Sequence, residues 1–429
     1  MREMKDSGIS WINEIPGNWN VEPIKYSYRL IAGATPESTN ADFWDGDIKW
    51  ITPADFKTKD VFVTGGSRNL TIEGYKSCST SMLPIGSIVF SKRAPIGTVA
   101  ITADKLCTNQ GCLGLVEKNG RVLNKFYFYE ISIYGEVFNL YGSGTTFKEI
   151  SANTFANIKL PMPPIQEQKR IVGFLDAKCA EIDALTADIQ TQIDTLEQYK
   201  RSIITEAVTK GLNPDAEMKD SGIAWIGAIP ATWDIHPVYS YFGERKNNNS
   251  FGKETNLLSL SYGRIIRKDI NANGGLLPES FNTYNIVETD DIIIRPTDLQ
   301  NDKRSLRTGL VKEHGIITSA YIDLCPIKHV DSRYFHYLLH AYDVMKVFYN
   351  MGNGVRQSLN YSEFSKLMVF EPSYVEQVSI ADYLDRKMIE IDTVIENKKE
   401  QNEILEQYKK SLIYEYVTGK KEVPANEKQ

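Results

Sequence analysis

Apolar positions recur every seventh residue along two stretches of the chain. In the first, Leu175, Ile182, Ile189, Leu196 and Ile203 form one row, with Val172, Cys179 and Ile193 beside it. In the second, Leu384, Ile391, Leu405 and Leu412 form the matching row, joined by Met388 and Ile395, and Lys398 stands where the first has Ile189. Such spacing puts one apolar seam on an otherwise charged rod, the pattern of a coiled-coil partner. Proline is absent from both runs, and Gly211 and Gly419 sit where a helix would end. The pattern predicts two long helices, within 163–212 and from about 372 onward.

The two stretches are copies. Glu167-Gln168 recurs as Glu376-Gln377, Leu175-Asp176 as Leu384-Asp385, and Leu196–Lys200 (LEQYK) as Leu405–Lys409. Residues 4–24 return in the same way at 218–238, with Trp11, Pro16 and Trp19 matched by Trp225, Pro230 and Trp233. Proline and glycine within that short apolar stretch argue against a continuous helix or a central strand, and its tryptophans are expected to wedge the chain against a core. A period of roughly 210 residues is far too long for a solenoid unit and indicates a duplicated half-molecule.

Between lead-in and rod lie segments of a different texture. Residues 48–52, 86–91, 97–101 and 112–116 read as strands, as do 256–262, 290–295 and 308–312. Helices are expected at 124–131 and 331–340, and each segment finishes on a glycine-rich turn, at 142–148 and 352–357. The fold class is α+β: two recognition-type domains separated by two long helices that form an antiparallel coiled coil, a pseudo-twofold internal repeat. The expected boundaries are 1–157 and 214–366 for the globular segments with their lead-ins, and 158–213 and 367–429 for the helical regions, the last with a polar tail.

Bulk properties narrow the function classes. The chain of 429 residues carries a net charge of −6, which excludes a protein basic over its whole surface and requires any nucleic-acid contact to be local. Both long helices hold more acids than bases, whereas the segments between them are near neutral. The cysteines (Cys78, Cys107, Cys112, Cys179, Cys325) lack a pairing pattern, and no apolar run is long enough for a bilayer span; a reducing, cytoplasmic location is expected.

Motifs for chemistry are sparse. There is no phosphate loop, the Gly142-Ser-Gly144 turn lacks a dinucleotide setting, and no zinc spacing surrounds the cysteines. His336 and His340 share a helix face without a third ligand, and Asp45-Gly-Asp47-Ile-Lys49 matches an acid–lysine spacing that a polar turn explains equally well. No catalytic residue and no metal ligand is assigned. The loops instead carry groups suited to DNA: Ser91, Lys92 and Arg93; Thr108, Asn109 and Gln110; Lys148; then Arg264, Arg267, Lys268, Arg295, Lys303, Arg304, Arg307 and Arg356. Arginine and lysine suit guanine edges and phosphates, and asparagine and glutamine suit adenine edges.

Together these features resemble the specificity (S) subunit of type I restriction–modification systems over nearly all of the chain. The carrying motifs are the repeated W-I-x-x-I-P-x-x-W lead-in, the E-Q…L-D…I-D…L-E-Q-Y-K helices, and residues 83–91, 95–101 and 108–111 of the first segment. In the second segment the Thr-Asn-Gln motif is not obvious, and Ile317–Ala320 lies in its approximate place. The resemblance implies a non-catalytic subunit in which each domain reads half of a split DNA target and the rods set the gap. It implies two methyltransferase subunits as partners, joined by restriction subunits, with S-adenosylmethionine, ATP and Mg held by those partners and no cofactor in this chain. The alternatives are a coiled-coil scaffold that binds only proteins, and a stand-alone nuclease.

Overall fold

The computed structural model describes residues 2–57, 61–144, 148–223, 226–270, 280–297, 299, 306–351 and 358–424. The sevenfold pattern is realised as two helices, Ile165–Lys210 of 46 residues and Tyr374–Val417 of 44 residues. Each begins with a glutamate in its first turn, Glu167 or Glu376, which suits the positive helix end. Each is followed by a glycine at positive φ, Gly211 at +75° and Gly419 at +70°. Among the described residues, no helix is long and apolar enough to cross a membrane.

The chain divides into two compact units, one of Met1–Asp188 with Glu400–Gln429, the other of Ile189–Lys399. Each unit thus contains part of both long helices. In the first unit a five-stranded sheet runs in the order Tyr28–Ala32, Cys112–Glu117, Ile88–Ser91, Val99–Thr102, Phe62–Val63, antiparallel except for the last pair. Its central strands are short because both faces are buried: Ile88 and Phe90 join the main core, while Val89 and Ala100 face a smaller one. The helix Asn124–Ser132 packs on this sheet, and a three-stranded sheet (Cys107–Thr108, Trp44–Ile51, Arg68–Leu70) adjoins it. Within this unit Leu175 and Ile182 share the core with Leu412, Ile413 and Tyr416. Phe174 meets Tyr416 at 4.4 Å between ring centroids, and Lys409 Nζ lies 2.6 Å from Asp183.

The second unit has a four-stranded sheet in the order Phe242–Glu244, Ile322–Pro326, Ile292–Ile294, Thr308–Leu310, flanked by the helix Ser332–Val344. Here Ile203 and Ile193 share a core with Leu384, Met388, Ile391 and Ile395, with Ile189 and Leu196 partly buried against it. Lys200 pairs with Asp392 at 2.5 Å, and Lys398, the break in the apolar row, is bonded to Gln192. A lysine at that position is therefore accommodated by a polar partner.

The lead-ins close each unit. Met4–Asp6 pairs with Glu14–Pro16, and Met218–Asp220 with Ala228–Pro230, as three-residue hairpin strands. Trp19 and Trp233 are fully buried, as expected of wedges, and Trp225 lies outside the described residues. Their indole N–H groups donate to Glu167 and Glu376, each at 3.0 Å. The glutamines that follow bond across the chain: Gln168 accepts from Leu123 N and donates to Pro163 O, and Gln377 accepts from Asp331 N and donates to Pro372 O. The repeated Glu-Gln pair is thus a staple joining lead-in, globular segment and rod. Several strands escape a sequence reading, among them Tyr28–Ala32 and Ile322–Pro326 of the main sheets, and Lys159–Met162 and Met368–Glu371, which pair with Asn20–Pro23 and Asp234–Pro237. Of these, Lys159–Met162 contains Pro161 and Met368–Glu371 pairs with Pro237, which disguises them.

Candidate nucleic-acid interface

Three loops that are far apart in sequence meet at one end of the central strands of the first unit's main sheet. The chain leaves the strand Ile88–Ser91 into Lys92, whose N–H donates to Gly111 O at 2.8 Å and whose carbonyl accepts from Ile150 N at 3.1 Å. The first bond ties it to the 108–111 turn, and the second to the end of the glycine-rich turn. Lys92 and Arg93 both reach Glu149 at 2.8 Å, and Ser143 and Glu149 exchange backbone bonds at 3.0 Å. Burial raises the Glu149 carboxyl, but the hydrogen bonds from Lys92 and Arg93 outweigh it and hold the group below the usual range. Glu149 is thus shared by two cations, and Lys148, next to it in the chain, is exposed.

The 108–111 turn is built by its own side chains. Asn109 Oδ1 accepts from Gly111 N at 2.9 Å, and Asn109 N donates to Ile51 O at 2.9 Å. Gln110 is exposed and accepts from the Thr35 hydroxyl. Gly33 is required beside it, since a Cβ there would lie 2.2 Å from the carbonyls of Thr108 and Asn109. Ser91 and Thr108 do not belong to the exposed surface. They are 0% and 1% exposed, and the Ser91 hydroxyl donates to Arg93 O at 2.8 Å. Their role is to shape the turns that present Lys92, Arg93 and Gln110.

The second unit departs further from the sequence reading. Arg307 is fully buried: its Nε donates to the Tyr349 hydroxyl at 2.9 Å and its Nη1 to Thr297 O at 2.5 Å. A guanidinium committed inside the core is unable to meet DNA, so Arg307 is a structural residue. The hairpin Leu258–Ser261 and Arg264–Arg267 turns through Tyr262 and Gly263, both at positive φ, a two-residue turn that matches strand twist. Arg264 is exposed but pairs with Asp392 of the second long helix at 2.5 Å, and Arg267 is bonded to Glu313. Lys268 is exposed, and Arg295 is half-buried. Lys303, Arg304 and Arg356 lie outside the described residues.

Arg264 also lines a cavity of about 920 Å³ together with Lys200, Asp392, His336 and His340. Burial lowers His336 to about 3 and His340 to about 4, with neighbouring His340 and Lys312 acting on the first and Lys200 and Arg201 on the second. Both rings are partly exposed and line the cavity, and burial there favours their neutral form. Among the described residues no three acids, histidines or cysteines converge as a metal site. Lys49, from the acid–lysine spacing, is bonded to Asp104 at 2.6 Å.

Residues 16–195, which contain the whole first-unit site, match the family model described as the type I restriction modification DNA specificity domain. The chain is 33% identical over 189 residues to the type I restriction enzyme MjaIX specificity subunit of Methanocaldococcus jannaschii, a match spanning 44% of this chain and 43% of that protein. It is 25% identical over 425 residues to the putative MjaX specificity subunit of the same organism, covering 95% of each. Residues 16–195 thus match a type I restriction DNA specificity domain, and along its length the chain is similar to type I restriction specificity subunits. Its fold agrees. A chain from a structure of the type I R-M system aligns with a TM-score of 0.69 at 13% identity over 94% of this chain and 98% of that one. The HsdS subunit from Thermoanaerobacter tengcongensis aligns at 0.50 and 14% identity over the same shares.

For this S-subunit relative, the sequence reading missed Glu149, which organises the cationic cluster, and Thr35, which positions Gln110. A lone acid behind a glycine-rich turn carries no periodic signal. Only its partners 56 residues away reveal it.

Proposed function

We propose that this chain is the DNA-reading subunit of a type I restriction–modification assembly and performs no chemistry of its own. The observation that carries the reading is the convergence of 91–93, 108–111, Ser143 and Glu149 at one end of the main sheet, which brings the cations Lys92 and Arg93 beside the exposed amide of Gln110. Positive groups hold phosphates in place, and amides beside them discriminate bases. Each globular segment, 1–157 and 214–366, then reads one half of a divided target. The helical regions 158–213 and 367–429 pair antiparallel as a coiled coil and set the gap. In support, partners within the first unit are Phe174 with Tyr416 and Asp183 with Lys409, and within the second Gln192 with Lys398 and Lys200 with Asp392. In each pair of contacts one number rises as the other falls.

Methyltransferase subunits, and restriction subunits where present, are the proposed protein partners, and S-adenosylmethionine, ATP and Mg belong to them. Exposed apolar residues on the long helices support protein docking there: Ile389 is 68%, Ile404 57% and Leu185 53% exposed. The test is equilibrium DNA binding by the chain assembled with its methyltransferase. K92A with R93A is expected to weaken binding by tenfold or more and to reduce the slope of log affinity against log salt by about 1–2. Unchanged affinity and slope would refute the assignment of this site.

A further inference from the structure

The backbone bonds that build the first-unit site recur in the second unit, away from its arginine-rich hairpin. Ser91 N donates to Thr98 O and Arg295 N to Arg307 O, both at 2.8 Å. Ile150 N donates to Lys92 O at 3.1 Å and Leu359 N to Pro296 O at 3.0 Å. Asn109 Oδ1 accepts from Gly111 N at 2.9 Å, and Thr318 Oγ1 from Ala320 N at 3.4 Å. Cys112 N donates to Asn109 O at 3.1 Å and Tyr321 N to Thr318 O at 3.2 Å. The pattern sets Thr318-Ser319-Ala320 in the role of Asn109-Gln110-Gly111, and Arg295–Thr297 in that of Ser91–Arg93. A hydroxyl has replaced an amide as the turn-forming side chain, which hides the correspondence at the level of sequence.

We infer that the second unit contacts bases through the Thr318–Tyr321 turn and its rim, with Ser319 in the place of Gln110, and not through the hairpin Leu258–Arg267. This rests on the DNA-reading role proposed above. The turn borders a depression of about 440 Å³ whose lining includes Lys246, Pro296, Ser319, Tyr321, Asn360 and Ser362. Ser319 and Ser362 are exposed hydroxyls, able to donate or accept. Lys246 is 72% exposed beside Glu244, at 2.8 Å, so a cation and an acceptor stand together, suited to guanine and cytosine edges. Arg264 and Arg267 are as exposed, at 69% and 72%, and are paired with carboxylates in the same way, so the choice of the turn over the hairpin rests on the backbone pattern shared with the first unit.

The experiment is methylation of a random duplex pool by the full chain assembled with its methyltransferase, followed by sequencing of the methylated sites. S319A with K246A is expected to relax the base preference in one half of the target by about tenfold while sparing the other half. R264A with R267A is expected to leave the preference unchanged. S319C with K246Q, close in size to the native side chains at these exposed positions, guards against loss of folding. Relaxation by the arginine pair, or an unchanged preference in both serine–lysine variants, overturns the inference while leaving DNA reading intact. A wild-type assembly with no base preference overturns the DNA-reading role and this inference with it.

Discussion

Glu130 lies in the core of the first unit, 0% exposed, with neither carboxylate oxygen bonded to another described residue. Burial drives its carboxyl well above the ordinary range and so favours its neutral form. The second unit carries Leu338 at the matching position: Lys125 and Tyr129 bond Asp176 as Arg333 and Tyr337 bond Asp385. A raised acid stabilises fully below its unfolded value near 4.5, and that contribution is lost as pH rises toward the folded value. E130L is therefore expected to stabilise the first unit by about 1–3 kcal/mol at pH 8 and far less at pH 4.5. His336 and His340 work in the opposite direction. Their depressed values give stability that is present above pH 6.5 and lost as pH falls toward 3–4. H336F should flatten the acid limb of the second unit's melting profile; an unaltered limb would show that the histidine does not titrate on unfolding.

At the scale of elements, the ends of the long helices are fitted to the lead-in tryptophans. A Cβ on Gly419 would meet the Pro16 ring at 2.5 Å and Trp19 at 3.0 Å, whereas on Gly211 it would meet Glu376 at 3.2 Å and Trp233 at 3.3 Å. Both substitutions incur the cost of positive φ, about 1–2 kcal/mol, and only G419A adds a clash with a rigid ring. Denaturant melts should therefore show a larger loss for G419A than for G211A; equal losses would mean that the Pro16 contact relaxes freely. The helices themselves, with Gly211 and Gly419 at their ends, were legible because heptad spacing and glycine caps are local signals. The partners of Gln168 and Gln377 were not, since Leu123 and Asp331 lie 45 and 46 residues away.

For the whole molecule, the proposed function rests on duplication of one plan in a single chain. The division between units falls inside both long helices, at Asp188/Ile189 and Lys399/Glu400. Seven residues inserted at each of these points would preserve the apolar rows and add about 10.5 Å of helix, about three base-pair rises. Methylated sites mapped with that variant are expected to keep both half-sequences and lengthen the gap accordingly. An unchanged gap would remove the rods from the role of spacer. The two halves keep their frame while their interiors differ, as Glu130 against Leu338 and Asn109 against Thr318 illustrate, which fits two readers of different sequences.

The sequence by itself determined the repeat, the long helices, the mixed sheet-and-helix segments and the family resemblance, because each is written in spacing or in contiguous motifs. Tertiary structure alone decided which polar side chains are available. Arg93 and Arg307 look alike as candidates in a list of cations, yet one side chain is 43% exposed beyond a strand end and the other donates to the Tyr349 hydroxyl inside a core. Burial of a charge depends on partners brought from distant parts of the chain, and no local pattern records them.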